Sequence, residues 1–169
     1  MTESTTVPEL VFERTFSAPR ELVWQAWTTA DALGQWWGPH IFENRVISLD
    51  LRPGGAFHYA MLPPNGDEMY GRFTYDEIDP PSRLVYRSAF ADSAGNAIRA
   101  PWDATFPLEL ASTLTLEEVD GGTRLTLRVR PYNPSAAEST AFDGLSDSMD
   151  GGFNGTLDAL AQYLAGKHN

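Results

Sequence analysis

The chain has no cysteine among its 169 residues, which excludes a disulfide framework and any thiolate metal site. No apolar run approaches the ~18 residues that a membrane-crossing helix needs. Met1 to Pro8 lack the basic start and apolar stretch of a secretory signal. Together with the missing cysteines, this makes a reducing cytoplasm the expected location. Positive charge is scarce: 12 basic residues face 23 acidic ones, a formal net charge of -11, so the averaged field repels phosphate backbones and anionic lipid head groups. Neither nucleic acid nor membrane is an expected partner. Histidine is limited to His40, His58 and His168, far apart in sequence. His40 and Glu43 have an H-x-x-E spacing, but the Pro39 turn breaks a helix there and a third ligand is missing, so no metal and no cofactor is expected. Neither a glycine-rich phosphate loop nor a G-x-S-x-G nucleophile turn occurs.

What is abundant is apolar and aromatic: 42% of residues are hydrophobic, with nine Phe, six Tyr and five Trp. That is more ring area than one core needs, and some of it is free to line a cavity. The length fits one domain, expected over residues 9–166, with residues 1–8 as a flexible N-terminal tail.

Leu10 to Phe16 alternates as a first strand, with Leu10, Phe12, Arg14 and Phe16 on one face. Pro19 suits a first helical turn, and Leu22, Val23, Ala26 and Trp27 recur at helical spacing. Thr28 followed by Asp31 reads as a capping box for a second short helix through Ala32, Leu33 and Trp36, ended by Gly38 and Pro39. From Ile41 to Arg130 the period is two, and turn signals at Arg52-Pro53-Gly54-Gly55, Pro63-Pro64-Asn65-Gly66, Asp79-Pro80-Pro81-Ser82 and Asp120-Gly121-Gly122 divide it into a meander. One inner face is predicted to hold Ile47, Leu49 and Leu51, then Phe57, Tyr59 and Met61, then Phe73 and Tyr75, then Leu84, Tyr86 and Phe90, with leucines of the last two strands. Tyr75 and Ile78 fall on opposite parities, so a bulge near Asp76 should bend the sheet. His58 shares the parity of Ala56 and Ala60 and should face outward. Ala91 to Ala104 has no period and reads as a long loop able to close over a site. Phe142, Leu145, Met149, Phe153, Leu157, Leu160 and Leu164 form the stripe of a long closing helix, which Gly144, Gly151, Gly152 and Gly155 should kink or delay.

Ala18-Pro19-Arg20-Glu21-Leu22-Val23-Trp24, Trp36-Trp37-Gly38-Pro39, Asp50-Leu51-Arg52-Pro53-Gly54-Gly55 and Ile78-Asp79-Pro80-Pro81-Ser82-Arg83-Leu84-Val85 carry a resemblance. The chain resembles, from about Glu9 to Leu164, the START-related (SRPBCC) superfamily, and within it the family related to the C-terminal domain of the activator of the heat-shock protein 90 ATPase. The resemblance implies a helix-grip α+β fold: a curved antiparallel sheet of about seven strands wrapped around a long C-terminal helix, with two short helices after the first strand. It does not choose an activity, because the superfamily includes carriers, receptors, cyclases and hydrolases.

Tyr59, Tyr75, Tyr86, Ser88 and Ser112 place five hydroxyls at inner parity among apolar neighbours. Buried hydroxyls need partners, and a mostly apolar pocket with a few fixed polar groups satisfies several together. The expected ligand-binding set is Trp36, Leu49, Phe57, Tyr59, Phe73, Tyr75, Tyr86, Ser88, Trp102, Leu110, Ser112, Met149 and Phe153. The favoured reading is a noncatalytic binding or carrier domain for a small apolar or amphipathic molecule between sheet and helix. Two alternatives stay open. One is a cyclase, dehydratase or hydrolase using pocket tyrosines beside a carboxylate such as Glu43 or Asp103. The other is a co-chaperone or stress-response protein, suggested by the family name alone. Open sheet edges also leave room for a homodimer.

Overall fold

The computed structural model describes residues 8–37, 43–64, 66–100 and 104–168. Strand β1 (Leu10–Phe16) is followed by α1 (Arg20–Thr28) and α2 (Ala30–Trp36), then β2 (Glu43–Leu49), β3 (Ala56–Leu62), β4 (Met69–Asp79), β5 (Arg83–Ala91), the two-residue β6 (Ala97–Ile98), β7 (Leu110–Val119) and β8 (Gly122–Pro131). Helices α3 (Ala136–Gly144) and α4 (Ser146–His168) close the chain. The strands form one antiparallel sheet in the order β1-β8-β7-β5-β4-β3-β2, with β6 paired to β5. This is the helix-grip α+β architecture: seven strands in the main path, and a long terminal helix against the inner face. The predicted tail falls on residues outside the described ones except Pro8.

Alternation along the strands produces the core. Phe12 and Phe16 of β1, Leu84 and Tyr86 of β5, Leu114 and Leu116 of β7, and Leu125, Leu127 and Val129 of β8 are buried, with less buried residues between them, polar in all but β5, where Val85 stands. Arg14, at inner parity in β1, is the charged exception. Its guanidinium meets Asp158 at 2.9 Å and the Asn154 side chain at 3.1 Å, so it fastens β1 to α4. The register of β4 against β5 shifts between Tyr75 and Glu77, the bulge that the sequence places at Asp76.

Several details depart from expectation. Helix α2 is capped by Thr29, whose hydroxyl accepts from the Ala32 N–H, whereas the Thr28 hydroxyl donates to the Trp24 carbonyl within α1. Strand β2 shifts register between Val46 and Ser48, so Val46 and Leu49 turn inward, and Ile47 and Leu51 are exposed rather than sharing the inner face. The first half of the 91–104 segment is a hairpin. Ala91 pairs with Ala97, and the Asp92 carboxylate accepts from the backbone N–H groups of Ala94 and Asn96, with Gly95 at φ 91°. This turn lies on the outer face, where the Gly95 carbonyl accepts from Arg72 and the Asp92 carbonyl lies 3.1 Å from His58 Nε2. His58 is therefore buried despite its outward parity.

The closing helix breaks at Leu145, the cap of α3, and runs unbroken through Gly151 and Gly152. A Cβ added at Gly144, Gly151, Gly152 or Gly155 would have nothing within 4 Å, so these glycines answer no close approach of backbone or side chain.

Candidate functional site

The strand register arranges the inner face as rows of facing residues. Tyr59 of β3 faces Gly71 of β4, which faces Phe90 of β5. The next row is Phe57, Phe73, Ser88 and Leu110, and the next is Tyr75, Tyr86, Ser112 and Val129. Small side chains at Gly71, Ser88 and Ser112 leave a hollow between rows of rings. Helix α4 reaches this hollow with Met149, Gly152, Phe153 and Thr156, Trp37 enters from the end of α2, and Phe106, Pro107 and Leu108 complete the rim. The resulting open cavity has a volume of about 280 Å³.

The wall is a packed set of rings. Phe73 stacks on Tyr86 with centroids 4.1 Å apart, Trp37 meets Phe73 edge-on at 5.0 Å, and Phe57 stacks on Tyr59 at 4.8 Å. Tyr59 lies flat over the facing strand because position 71 carries no side chain: a Cβ there would stand 2.4 Å from the phenol carbon and oxygen. Among the described lining residues, none is acidic, basic or histidine. The polar atoms are hydroxyls and the Trp37 indole, and the Thr156 hydroxyl is already committed to the Gly152 carbonyl.

Burial sets the protonation of the phenols. It pushes Tyr59 up to about 12, and the neighbouring Trp37 N–H offsets part of that rise. The Trp37 N–H is itself buried and completes no hydrogen bond of acceptable geometry, so the two groups face each other without closing a bond. Burial also raises Tyr75, with Tyr59 adding to the effect. Tyr86 is raised by burial as well, partly offset by the Ser112 hydroxyl and reinforced by Tyr75 and Tyr59. The three phenols thus form one neutral cluster at physiological pH.

Eight of the thirteen expected residues meet at the cavity: Tyr59, Phe73, Tyr86, Ser88, Leu110, Ser112, Met149 and Phe153. Trp36 does not. It is buried, donates its indole N–H to the Ala26 carbonyl at 2.8 Å, and packs edge-on against Trp27, so it ties α2 to α1 while Trp37 takes the place at the wall. Phe57 sits behind Tyr59 and Phe73 in the core, Leu49 packs against the core from β2, and Tyr75 is fully enclosed with its hydroxyl unpartnered. Trp102 and Asp103 lie outside the described residues, and Glu43 is exposed on the edge strand β2. The expected set left out ten lining residues: Trp37, Met61, Gly71, Ala89, Phe90, Phe106, Pro107, Leu108, Gly152 and Thr156. A glycine at inner parity in the middle of β4 was the available signal for a hollow.

Fold and site together define an open helix-grip domain with a ring-walled cavity under its C-terminal helix, its described lining residues uncharged. The profile of the family described as Activator of Hsp90 ATPase homolog 1-like protein matches residues 17–165, and the chain belongs to that family. Among solved structures, protein Ms6760 from Mycobacterium smegmatis is similar, at 26% identity and a TM-score of 0.77 over 95% of this chain and 92% of that one. A Staphylococcus epidermidis protein is 30% identical, with a TM-score of 0.74 over 99% of this chain and 95% of its own. An AHSA1 protein from Silicibacter pomeroyi, 22% identical, shares the fold with a TM-score of 0.72 over 95% of this chain and all (100%) of that chain. No curated protein matches the chain. Among the described residues, no helix is long and apolar enough to cross a membrane.

Proposed function

We propose that this protein binds a small, uncharged, largely apolar molecule in the cavity between the sheet and α4, as a carrier or binding domain. The observation that carries this reading is the chemistry of the wall: about 280 Å³ of space among rings and aliphatic groups, with hydroxyls for orientation and no charged side chain among the described lining residues. Affinity would come from apolar burial, at about 25 cal/mol per Å² before the cost of immobilising the ligand. A carboxylate or ammonium on the ligand would meet no opposite charge among the described lining residues, which disfavours ionised lipids. The enzyme alternative requires a general base beside a tyrosine hydroxyl, and the described lining residues supply hydroxyls and the indole.

A thermal-shift series with neutral and anionic apolar compounds tests the reading. A neutral ligand at a hundredfold excess over its Kd should stabilise the protein by about 2.7 kcal/mol. An anionic counterpart of the same shape should do much less. Stabilisation by anions alone, or by no apolar compound in a broad set, would overturn the proposal.

A further inference from the structure

We infer that the occupant of the cavity carries a hydrogen-bond acceptor oxygen, as a neutral ketone, ester or ether does, and that Tyr59 donates to it with Trp37 behind. This deepens the proposed function and rests on it.

The argument is a census of donors and acceptors. An indole can only donate, and the Trp37 N–H is buried without a completed hydrogen bond. Trp37 meets the Tyr59 ring edge-on with centroids 6.0 Å apart, and Tyr59 is part of the cavity wall. A phenol whose oxygen receives the approach of an N–H directs its own proton elsewhere, and for Tyr59 the remaining open side is the cavity. Once a ligand oxygen takes the Tyr59 proton, the phenol oxygen is left to accept from the Trp37 N–H, and hydrogen bonds in such a chain reinforce one another in a low-dielectric site.

The rest of the wall points the same way. The Ser112 hydroxyl is turned to Tyr86, which leaves the Tyr86 and Ser88 protons to give, and no carboxylate or carboxamide side chain is present among the described lining residues to accept them. Nearby, the fully buried Tyr75 hydroxyl also lacks a partner. The hydroxyls can donate or accept, but the indole can only donate and is unpartnered, so an accepting oxygen is the ligand group that lets all of them find partners. The fit of the Tyr59 ring over Gly71 fixes where that proton is offered.

The test uses benzophenone and diphenylmethane, which share a shape and differ at the central carbonyl. Each is titrated by NMR into the intact protein and its Tyr59→Phe and Trp37→Phe variants. Tyr59→Phe should weaken benzophenone about tenfold, the cost of leaving one acceptor unpaired, while diphenylmethane stays within about twofold. Trp37→Phe removes part of the wall and should weaken both ligands, but the ketone by roughly threefold more than diphenylmethane, because Trp37 also works through Tyr59 as a positioning residue. If both ligands weaken equally in Tyr59→Phe, or neither changes, the donor assignment is wrong although the binding function stands. If neither compound binds the unaltered protein, the binding function fails and the donor assignment with it.

Discussion

Gly71→Ala is a one-methyl change with a large expected consequence. The added Cβ would stand 2.4 Å from both Cζ and Oη of Tyr59 and 2.8 Å from Cε2, far inside contact distance. The phenol has little room to yield. It stacks on Phe57 at 4.8 Å and meets Trp37 and Phe73 edge-on at 6.0 and 5.9 Å. Relief therefore means swinging the ring into the cavity or parting β3 from β4. Overpacking of this kind costs about 1–3 kcal/mol. Alanine returns about 0.5–1 kcal/mol by restricting the unfolded chain. The net loss should be about 1–2 kcal/mol, a fall in Tm of roughly 2–8 °C for a domain of this size. Urea denaturation of the parent, Gly71→Ala, Tyr59→Ala and the double variant separates this cause from others. With the ring removed, the methyl meets nothing, so the two changes should be non-additive by about 1.5–3 kcal/mol. Additive effects, or a stabilising Gly71→Ala in the parent, would refute the account of how Tyr59 is seated.

Two further outcomes follow from the same geometry. At high pH the neutral phenol cluster should open the fold. Tyr59, Tyr75 and Tyr86 all have raised folded values, so below pH 10 both folded and unfolded states keep their protons and the full stability is present. Between the ordinary value near 10 and the folded value of about 12 for Tyr59, the unfolded state ionises first, and each phenol removes about 1.4 kcal/mol per pH unit. Circular dichroism should therefore change together with the tyrosinate signal of these three among the six tyrosines, and ionisation of all six before any loss of structure would contradict it. Arg14→Met should cost less than about 1 kcal/mol in a denaturant titration, because the Asp158 partner is 65% exposed and solvent screens the pair. A loss of 3 kcal/mol would mean that Arg14 holds α4 by more than this contact.

Much of the architecture could be read from periodicity, because a sheet with one wet face writes its burial into alternate residues. Leu84 and Tyr86, Leu114 and Leu116, and Leu125, Leu127 and Val129 are buried as their parity requires. The bulge at Asp76 was legible for the same reason: a change of parity has few other causes. Strand β2 was misread because its own bulge lies among residues that alternate equally well in either register. The burial of His58 depends on a hairpin folding over it from 34 residues away, which no local pattern encodes. Trp36 and Trp37 illustrate the limit at the site. Two adjacent indoles are equivalent in sequence, and only the helix end decides that one bonds the Ala26 carbonyl while the other forms the wall. The glycines of α4 misled in a different way, since a helix held by its Leu157, Leu160 and Leu164 face tolerates weak positions on its open side.

Gly152 gives the most direct measurement of the central claim. It lines the cavity, is exposed, and offers nothing within 4 Å of an added Cβ, so Gly152→Leu can start a side chain at the cavity without a clash at Cβ and should take up space there. Replacing a helix-interior glycine should itself stabilise the fold by about 0.5–1 kcal/mol. Native mass spectrometry of the parent and Gly152→Leu proteins, each equilibrated with diphenylmethane, should show one bound molecule per parent chain and none on the more stable variant. Equal uptake by both proteins, or none by either, would contradict the account.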